Sequence, residues 1–272
     1  MMMAWQGELW LKGHNRHEFE RALIATIRAC THGDVTLGRG LIFIDDDTAP
    51  LQHISGITHY AIAQRLPKDA GVLADAARQL PLAAGSRFRV TVKRQDKTWM
   101  GNTELAVLLG DAIADGTGAV VDLQHYDTNV GLMVADACYL YAGRTQALGG
   151  LPLGTQQRVM AIVCDAADED AALAIMRRGC PLVLAASVST PRIVERHVGV
   201  ALERCEPMPE AIAARLGAAC VCASPVAYAL LEEARQMRAH APVRADGQAT
   251  ATDGAGRVGK SQHVLVLDPL LG

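Results

Sequence analysis

Between Arg87 and Lys97 the chain places five cations in eleven residues, Arg87, Arg89, Lys93, Arg94 and Lys97, against the single carboxylate of Asp96. The run ends on an aromatic side chain, Trp99. Phe88, Val90 and Val92 alternate with Arg89, Thr91 and Lys93, the period of two that marks a strand with one buried face. The residues after Arg94 read as a polar loop. Cations at a strand end suit the phosphates of a nucleic acid, and an aromatic beside them suits a base or sugar. A solvated strand face with an ordinary turn would have the same composition, so the surroundings must decide. Lys12 and Arg16, bracketing the loop into the first helix, are candidates for the same surface.

The elements that must hold these residues are legible along the chain. Up to about Gly71, a helix begins near Asn15, a plausible cap with Glu18 three residues on, and carries Phe19, Leu23 and Ile27 on one face. Leu41–Ile44 reads as a short strand, and Ile57–Leu66 as another. From Val72 to Thr145 the pattern is helix, strand, helix and three strands. There Asn102 is the expected cap of the second helix, and Val120–Leu123, Val130–Val134 and Cys138–Tyr141 are the strands. Gly149-Gly150-Leu151-Pro152-Leu153-Gly154-Thr155 reads as a hinge. Beyond it strands and helices alternate, beginning with the apolar strand Val159–Val163 and a helix over Asp168–Arg178. Such alternation implies a parallel sheet covered on both faces. His263–Leu267 reads as a last strand.

Composition narrows the function classes. A chain of 272 residues can build two or three small domains. Half the residues are hydrophobic and 4% aromatic, so the cores must be aliphatic. The net charge of −3 excludes nucleic-acid binding through a bulk positive field, and a local patch is required. Seven cysteines, an odd number without a Cys-x-x-Cys pair, read as reduced, mostly buried thiols in a cytoplasmic protein. No apolar run reaches the roughly 18 residues of a membrane span. Gly254–Ser261 fits the phosphate-loop pattern G-x-x-x-x-G-K-[ST], but its polar flank and the strand after it deny the required strand–loop–helix context.

Three motifs occur in one order: Gly7-Glu8-x-x-Leu11-Lys12-Gly13-x-Asn15-Arg16-x-x-Phe19-Glu20, then Lys93-Arg94-x-Asp96-Lys97, then Gly149-Gly150-Leu151-Pro152-x-Gly154-Thr155. Together they resemble the tRNA 4-thiouridine synthetases, the ThiI-type tRNA sulfurtransferases. The resemblance implies an α/β chain with a ferredoxin-like domain over 1–71, an RNA-binding THUMP domain over 72–148, and an ATP-pyrophosphatase (PP-loop) domain over 156–272. It implies tRNA as partner, gripped at its acceptor end, and the candidate contacts are the cations and aromatic read above, Lys12, Arg16, Arg87, Arg89, Lys93, Arg94, Lys97 and Trp99.

The family places Ser-Gly-Gly-x-Asp-Ser after its first catalytic strand. Here the strand is followed by Cys164-Asp165-Ala166-Ala167-Asp168-Glu169, and Asp168 alone matches the motif. The helix end Met176-Arg177-Arg178-Gly179 is kept. A phosphate loop needs glycines so that backbone amides can approach oxygen closely. Asp165, Asp168, Glu169 and Asp170 instead set four carboxylates at a helix start, where they cap the helix and repel a polyphosphate. The expectation is therefore a tRNA-binding, Rossmann-like protein with a degenerate nucleotide loop (Cys164, Asp165, Ala166, Ala167, Asp168), no adenylation and no cofactor or metal. It would serve a separate modifying enzyme, with a homodimer left open. No cysteine matches the family's catalytic one, so Asp168 is the only residue that could be carried over as catalytic. The alternative is an active sulfurtransferase making 4-thiouridine at position 8 with an atypical loop, which would need ATP and magnesium.

Overall fold

The computed structural model of the chain describes residues 1–240 apart from Arg39 and Ala218. The phosphate-loop look-alike at 254–261 and the strand expected at 263–267 lie outside the described residues. The chain divides into two compact units, one of Met1–Arg16 with Ile24–Gly149, the other of His17–Leu23 with the chain from Gly150 onward.

In chain order the first unit contains β1 (Met2–Gln6), the start and end of α1 (Arg16–Arg28), β2 (Val35–Leu37), β3 (Leu41–Ile44), β4 (Ile57–Ile62) and β5 (Gln64–Leu66). There follow α2 (Ala70–Arg78), β6 (Arg87–Arg94), α3 (Asn102–Thr117), β7 (Val120–Val121), β8 (Thr128–Val134), β9 (Cys138–Ala142) and β10 (Thr145–Gln146). One antiparallel sheet has the order β10-β4-β1-β3-β2, and a mixed sheet the order β5-β9-β8-β6-β7. The single strand expected over Ile57–Leu66 is thus two. Ala63 donates its amide to the Met1 carbonyl at 2.9 Å, and there the chain leaves one sheet for the other. β1 and β2 carry too short a pattern for the sequence to announce them.

The mixed sheet packs α2 and α3 against one face, with Leu73, Phe88, Leu105, Leu109, Val130 and Leu140 in the core. Its other face meets the antiparallel sheet through Met3, Phe43, Tyr139 and Tyr141. The Phe43 and Tyr139 rings lie 4.4 Å apart. Tyr141 lies directly over Gly131, where any β-carbon would collide with the ring, so glycine is required there. Of the two expected caps, one holds its position and one is corrected. Asn15 stands at the α1 start but makes no side-chain cap bond, because a 3-10 segment, Glu8–Asn15, runs into the helix. Gly101, not Asn102, caps α3, with Glu104 reaching back to the Gly101 amide at 3.2 Å.

The second unit contains β11 (Val159–Val163), α4 (Ala166–Met176), β12 (Leu182–Ala186), α5 (Pro191–Arg196), β13 (Glu203–Cys205), α6 (Pro209–Arg215), β14 (Cys220–Val221) and α7 (Pro225–His240). All strand pairs are parallel, in the order β13-β12-β11-β14. One face is covered by residues of α4 and α5, the other by α6 and α7, as the apolar strands require. The glycine-rich segment expected as a slack hinge is instead fixed at its far side. Leu151 N–H donates to the Arg177 carbonyl and Gly154 N–H to that of Gly179, both at 2.9 Å. Gly150 has φ 71°, and a β-carbon there would strike the Arg177 carbonyl.

Candidate nucleic-acid interface and strand-end crevice

Strand alternation on β6 sorts the cations. Phe88 is buried under the helices, while Arg87, Arg89, Thr91 and Lys93 share the opposite face. The parallel register sets Arg89 beside Asn129 of β8. There the Arg89 Nε donates to Asn129 Oδ1 at 3.2 Å and Thr91 Oγ1 to the same atom at 2.7 Å. The Arg89 guanidinium lies 4.0 Å from the centre of the Tyr126 ring. Tyr126 and Asn129 are residues the sequence did not point to, because only the pairing of two strands forty residues apart brings them here.

The other candidates divide by what holds them. Arg87 is paired with Asp127 at 3.1 Å, at the start of the strand. That guanidinium, before any other cause, holds the Asp127 carboxyl below its ordinary range. Arg94 falls on the helix side of the strand. Its Nε donates to Asn102 Oδ1 at 2.6 Å and its Nη1 to the Met100 carbonyl at 2.7 Å, so it ties the loop to the start of α3. Trp99 is half-buried against the core under α3, with only part of its ring outward. Asp96 accepts from Lys68 Nζ at 2.6 Å and from Thr98, and these bonds, Lys68 first, hold its carboxyl far below the ordinary range. The one acid of the run is therefore neutralised by a lysine from outside it. Lys93 and Lys97 are exposed, with no ion-pair partner among the described residues. Arg16 is the first residue of α1 and partly buried, while the Lys12 side chain lies outside what the structure describes.

The second location is the crevice at the carboxyl ends of the parallel strands. From β11 the chain crosses by α4 to β12 on one side, while β14 lies on the other. The gap between β11 and β14 is thus the point where strand order reverses, the usual ligand crevice of a doubly wound sheet. Asp168 sits in it, 1% exposed. Its Oδ2 accepts from the Cys164 amide at 2.9 Å, the Asp165 amide at 3.3 Å and the Ser224 hydroxyl at 2.6 Å. Its Oδ1 accepts from the Ala223 and Ser224 amides at 2.6 and 2.7 Å. Burial alone would raise this carboxyl, but the Ser224 hydroxyl and the amides outweigh it and the net shift is downward.

The neighbouring acids are also committed. Asp165 caps α4 by accepting the Asp168 amide at 3.0 Å, so the helix begins two residues earlier than the sequence suggested. Arg192 bridges Glu169 at 2.6 Å and Asp170 at 2.8 Å. The four carboxylates are therefore not the bare negative cluster that their spacing implied. Ala166 and Ala167 form the first turn of α4. Burial first, then Asp168 and Asp165, push the Cys164 thiol up, with Ser187 working the other way, so the thiol stays protonated.

Residues 1–61 match the family model of the ThiI ferredoxin-like domain. Two curated relatives are each described as a probable tRNA sulfurtransferase. That of Mycoplasmopsis agalactiae is 26% identical over 200 residues, 71% of this chain and 53% of the relative. That of Thermoanaerobacter sp. is 28% identical over 214 residues, 74% of this chain and 56% of the relative. The chain is thus similar to ThiI-type tRNA sulfurtransferases. A solved 4-thiouridine synthetase, in complex with RNA and with bound ATP, superposes on this chain with a TM-score of 0.60 at 25% identity. That match covers 70% of this chain and 53% of the other. PH1313 from Pyrococcus horikoshii shares the fold, with a TM-score of 0.68 over 82% of this chain and 87% of its own, at 18% identity. The chain spans about half the length of the curated relatives it matches.

Proposed function

We propose that this chain binds tRNA at its acceptor end and does not adenylate it. Residues 1–71 are read as the ferredoxin-like domain, 72–148 as the THUMP domain and 156–272 as a degenerate PP-loop domain. The observation that carries the reading is the loop after β11, where Asp165 and Ala166 stand at the positions that the family gives to glycine. Asp165 caps the start of α4 with its own carboxylate, and the Cys164, Asp165, Ala223 and Ser224 amides donate to the Asp168 carboxylate. The residues present do not fit a pyrophosphate leaving group, and no step is assigned to one.

RNA binding is supported by the RNA complex of the structural relative. It is also supported by the exposed Lys93 of β6 and Lys97 of the loop after it, and by Arg89, which shares the Lys93 face and stacks on Tyr126. On this reading the chain holds tRNA for a separate modifying enzyme, in the cytoplasm, without a cofactor of its own. The test is tRNA-dependent release of pyrophosphate from ATP, alongside mass spectrometry of tRNA nucleosides from cells lacking the gene. The expected result is tight, salt-sensitive tRNA binding with pyrophosphate release at background. Release above background would replace this reading with the active sulfurtransferase.

A further inference from the structure

Inside the first unit, beyond the packed rings of Phe43 and Tyr139, a cleft of about 920 Å³ opens between the two sheets. β2 with the end of β3 walls it on one side and β5 on the other. β2 is the last strand of the antiparallel sheet and β5 the last of the mixed one, so each has a free edge. Ladder alternation fixes which groups lie on those edges. The Ala135 amide donates to the Ala137 carbonyl across the β8–β9 turn, so Tyr139, two residues on, points its backbone at β8. Cys138 and Leu140 then serve β5 through Leu66 and Gln64, and the N–H and C=O of Arg65 face the open edge. On β2 the Gly38–Leu41 and Asp45–Asp34 backbone bonds leave Val35 and Leu37 facing outward. The Val35 carbonyl accepts from Arg28 at 3.3 Å, while Leu37 is exposed.

The charge along this cleft is one-sided. Asp34, Asp45 and Asp136 stand against Arg65, which is itself paired with Asp136 at 2.9 Å. Asp136 also accepts from the Tyr139 hydroxyl at 2.8 Å. Asp34 and Asp45 remain, and they lie directly opposite each other, since the Asp45 amide donates to the Asp34 carbonyl at 2.9 Å. Like charges so placed on neighbouring strands destabilise a sheet. Both are exposed, and neither has an ion-pair partner among the described residues. We propose that the cleft takes an extended, lysine- or arginine-bearing segment of a partner protein, added as a strand along the open edge of β5, with a cation between Asp34 and Asp45. The open N–H and C=O offer the main-chain pairing that strand addition uses, and the two carboxylates select a cation. A nucleic acid is the poorer occupant, because its phosphates would meet the same carboxylates. This site is independent of RNA binding at β6.

The experiment measures, by fluorescence anisotropy, binding of a labelled peptide of alternating valine and lysine, about six residues long, to the full-length protein. In one control peptide glutamate replaces lysine, and in the other alternate amides are N-methylated so that it cannot pair as a strand. The protein variant is Asp34→Asn with Asp45→Asn, which removes the charges at nearly constant shape. Its thermal midpoint should equal or exceed that of the wild type, because a repulsion is lost. A lower midpoint would mean that the fold itself uses both charges, and would overturn the demand for an outside cation. The lysine peptide should bind the wild type, and should bind the variant about tenfold more weakly. Neither control should bind. No binding of the lysine peptide, equal binding of the glutamate peptide, or equal affinity for wild type and variant would overturn the site. Equal binding of the N-methylated peptide would overturn strand addition. A labelled tRNA transcript, measured separately, should bind both proteins alike. Weaker tRNA binding by the variant would assign the cleft to RNA and overturn the protein partner. A wild type that binds the lysine peptide but no tRNA would sink the RNA reading and leave this site standing.

Discussion

At the scale of single residues, Asp168 decides most about the second unit. A buried carboxylate that accepts from four amides and a hydroxyl holds the ends of two strands and the start of a helix together. Asp168→Asn presents N–H groups to some of those donors. It should destabilise the unit by at least about 3 kcal/mol, the order of two charge-assisted hydrogen bonds. The pH dependence has a fixed sign, because the folded carboxyl lies below its ordinary value. Its stabilisation is full above the unfolded value, about 3.9, and is lost as the pH falls through the lower folded value. Far-UV circular dichroism in urea, from about pH 7 down to about 3, should show a steep acid limb in the wild type and a flatter one in Asp168→Asn. Equal acid limbs in the two proteins would remove the carboxylate from its assigned role.

Elements show why neighbouring cations are not equivalent. Arg94 and Lys97 stand three apart, yet strand alternation turns Arg94 toward the helices and the loop carries Lys97 into solvent. The Arg94 guanidinium fastens residues 99–102, and with them the first turn of α3. Arg94→Ala should therefore cost about 1–2 kcal/mol in thermal unfolding, as partly exposed hydrogen bonds do. Lys97→Ala should stay within about 0.5 kcal/mol. If both substitutions proved equally mild, the fastening role of Arg94 would be wrong. The strand pattern was enough to find β6 but not to separate these roles. The partners of Arg94 are backbone carbonyls and Asn102, and composition says nothing about which cation reaches them.

For the whole molecule, two compact units predict unfolding in more than one step. The three tryptophans, Trp5, Trp10 and Trp99, all belong to the first unit. Tryptophan fluorescence in a urea titration should then report that unit alone, while far-UV circular dichroism reports both. The two curves should have different midpoints. Coincident curves would show one cooperative transition and contradict the division.

The sequence by itself determined the parallel sheet, the α/β elements of the middle segment, the strand carrying the cations and the ThiI-type relationship. These rest on local period, turn residues and motif order, all of which survive in one dimension. It did not determine the split of Ile57–Leu66 between two sheets, the cap of α3, or the docking of residues 151–154. Nor did it determine that the four acids at α4 are each spoken for, or that Tyr126, Asn129, Lys68 and Ser224 matter. Asp168 is the clearest case: its residue type suggested repulsion of a phosphate, whereas the fold buries it and engages both its oxygens with four amides and a hydroxyl. Hydrogen bonds between residues more than fifty positions apart, such as Ser224 to Asp168, carry no local signature, so only the tertiary structure could decide them.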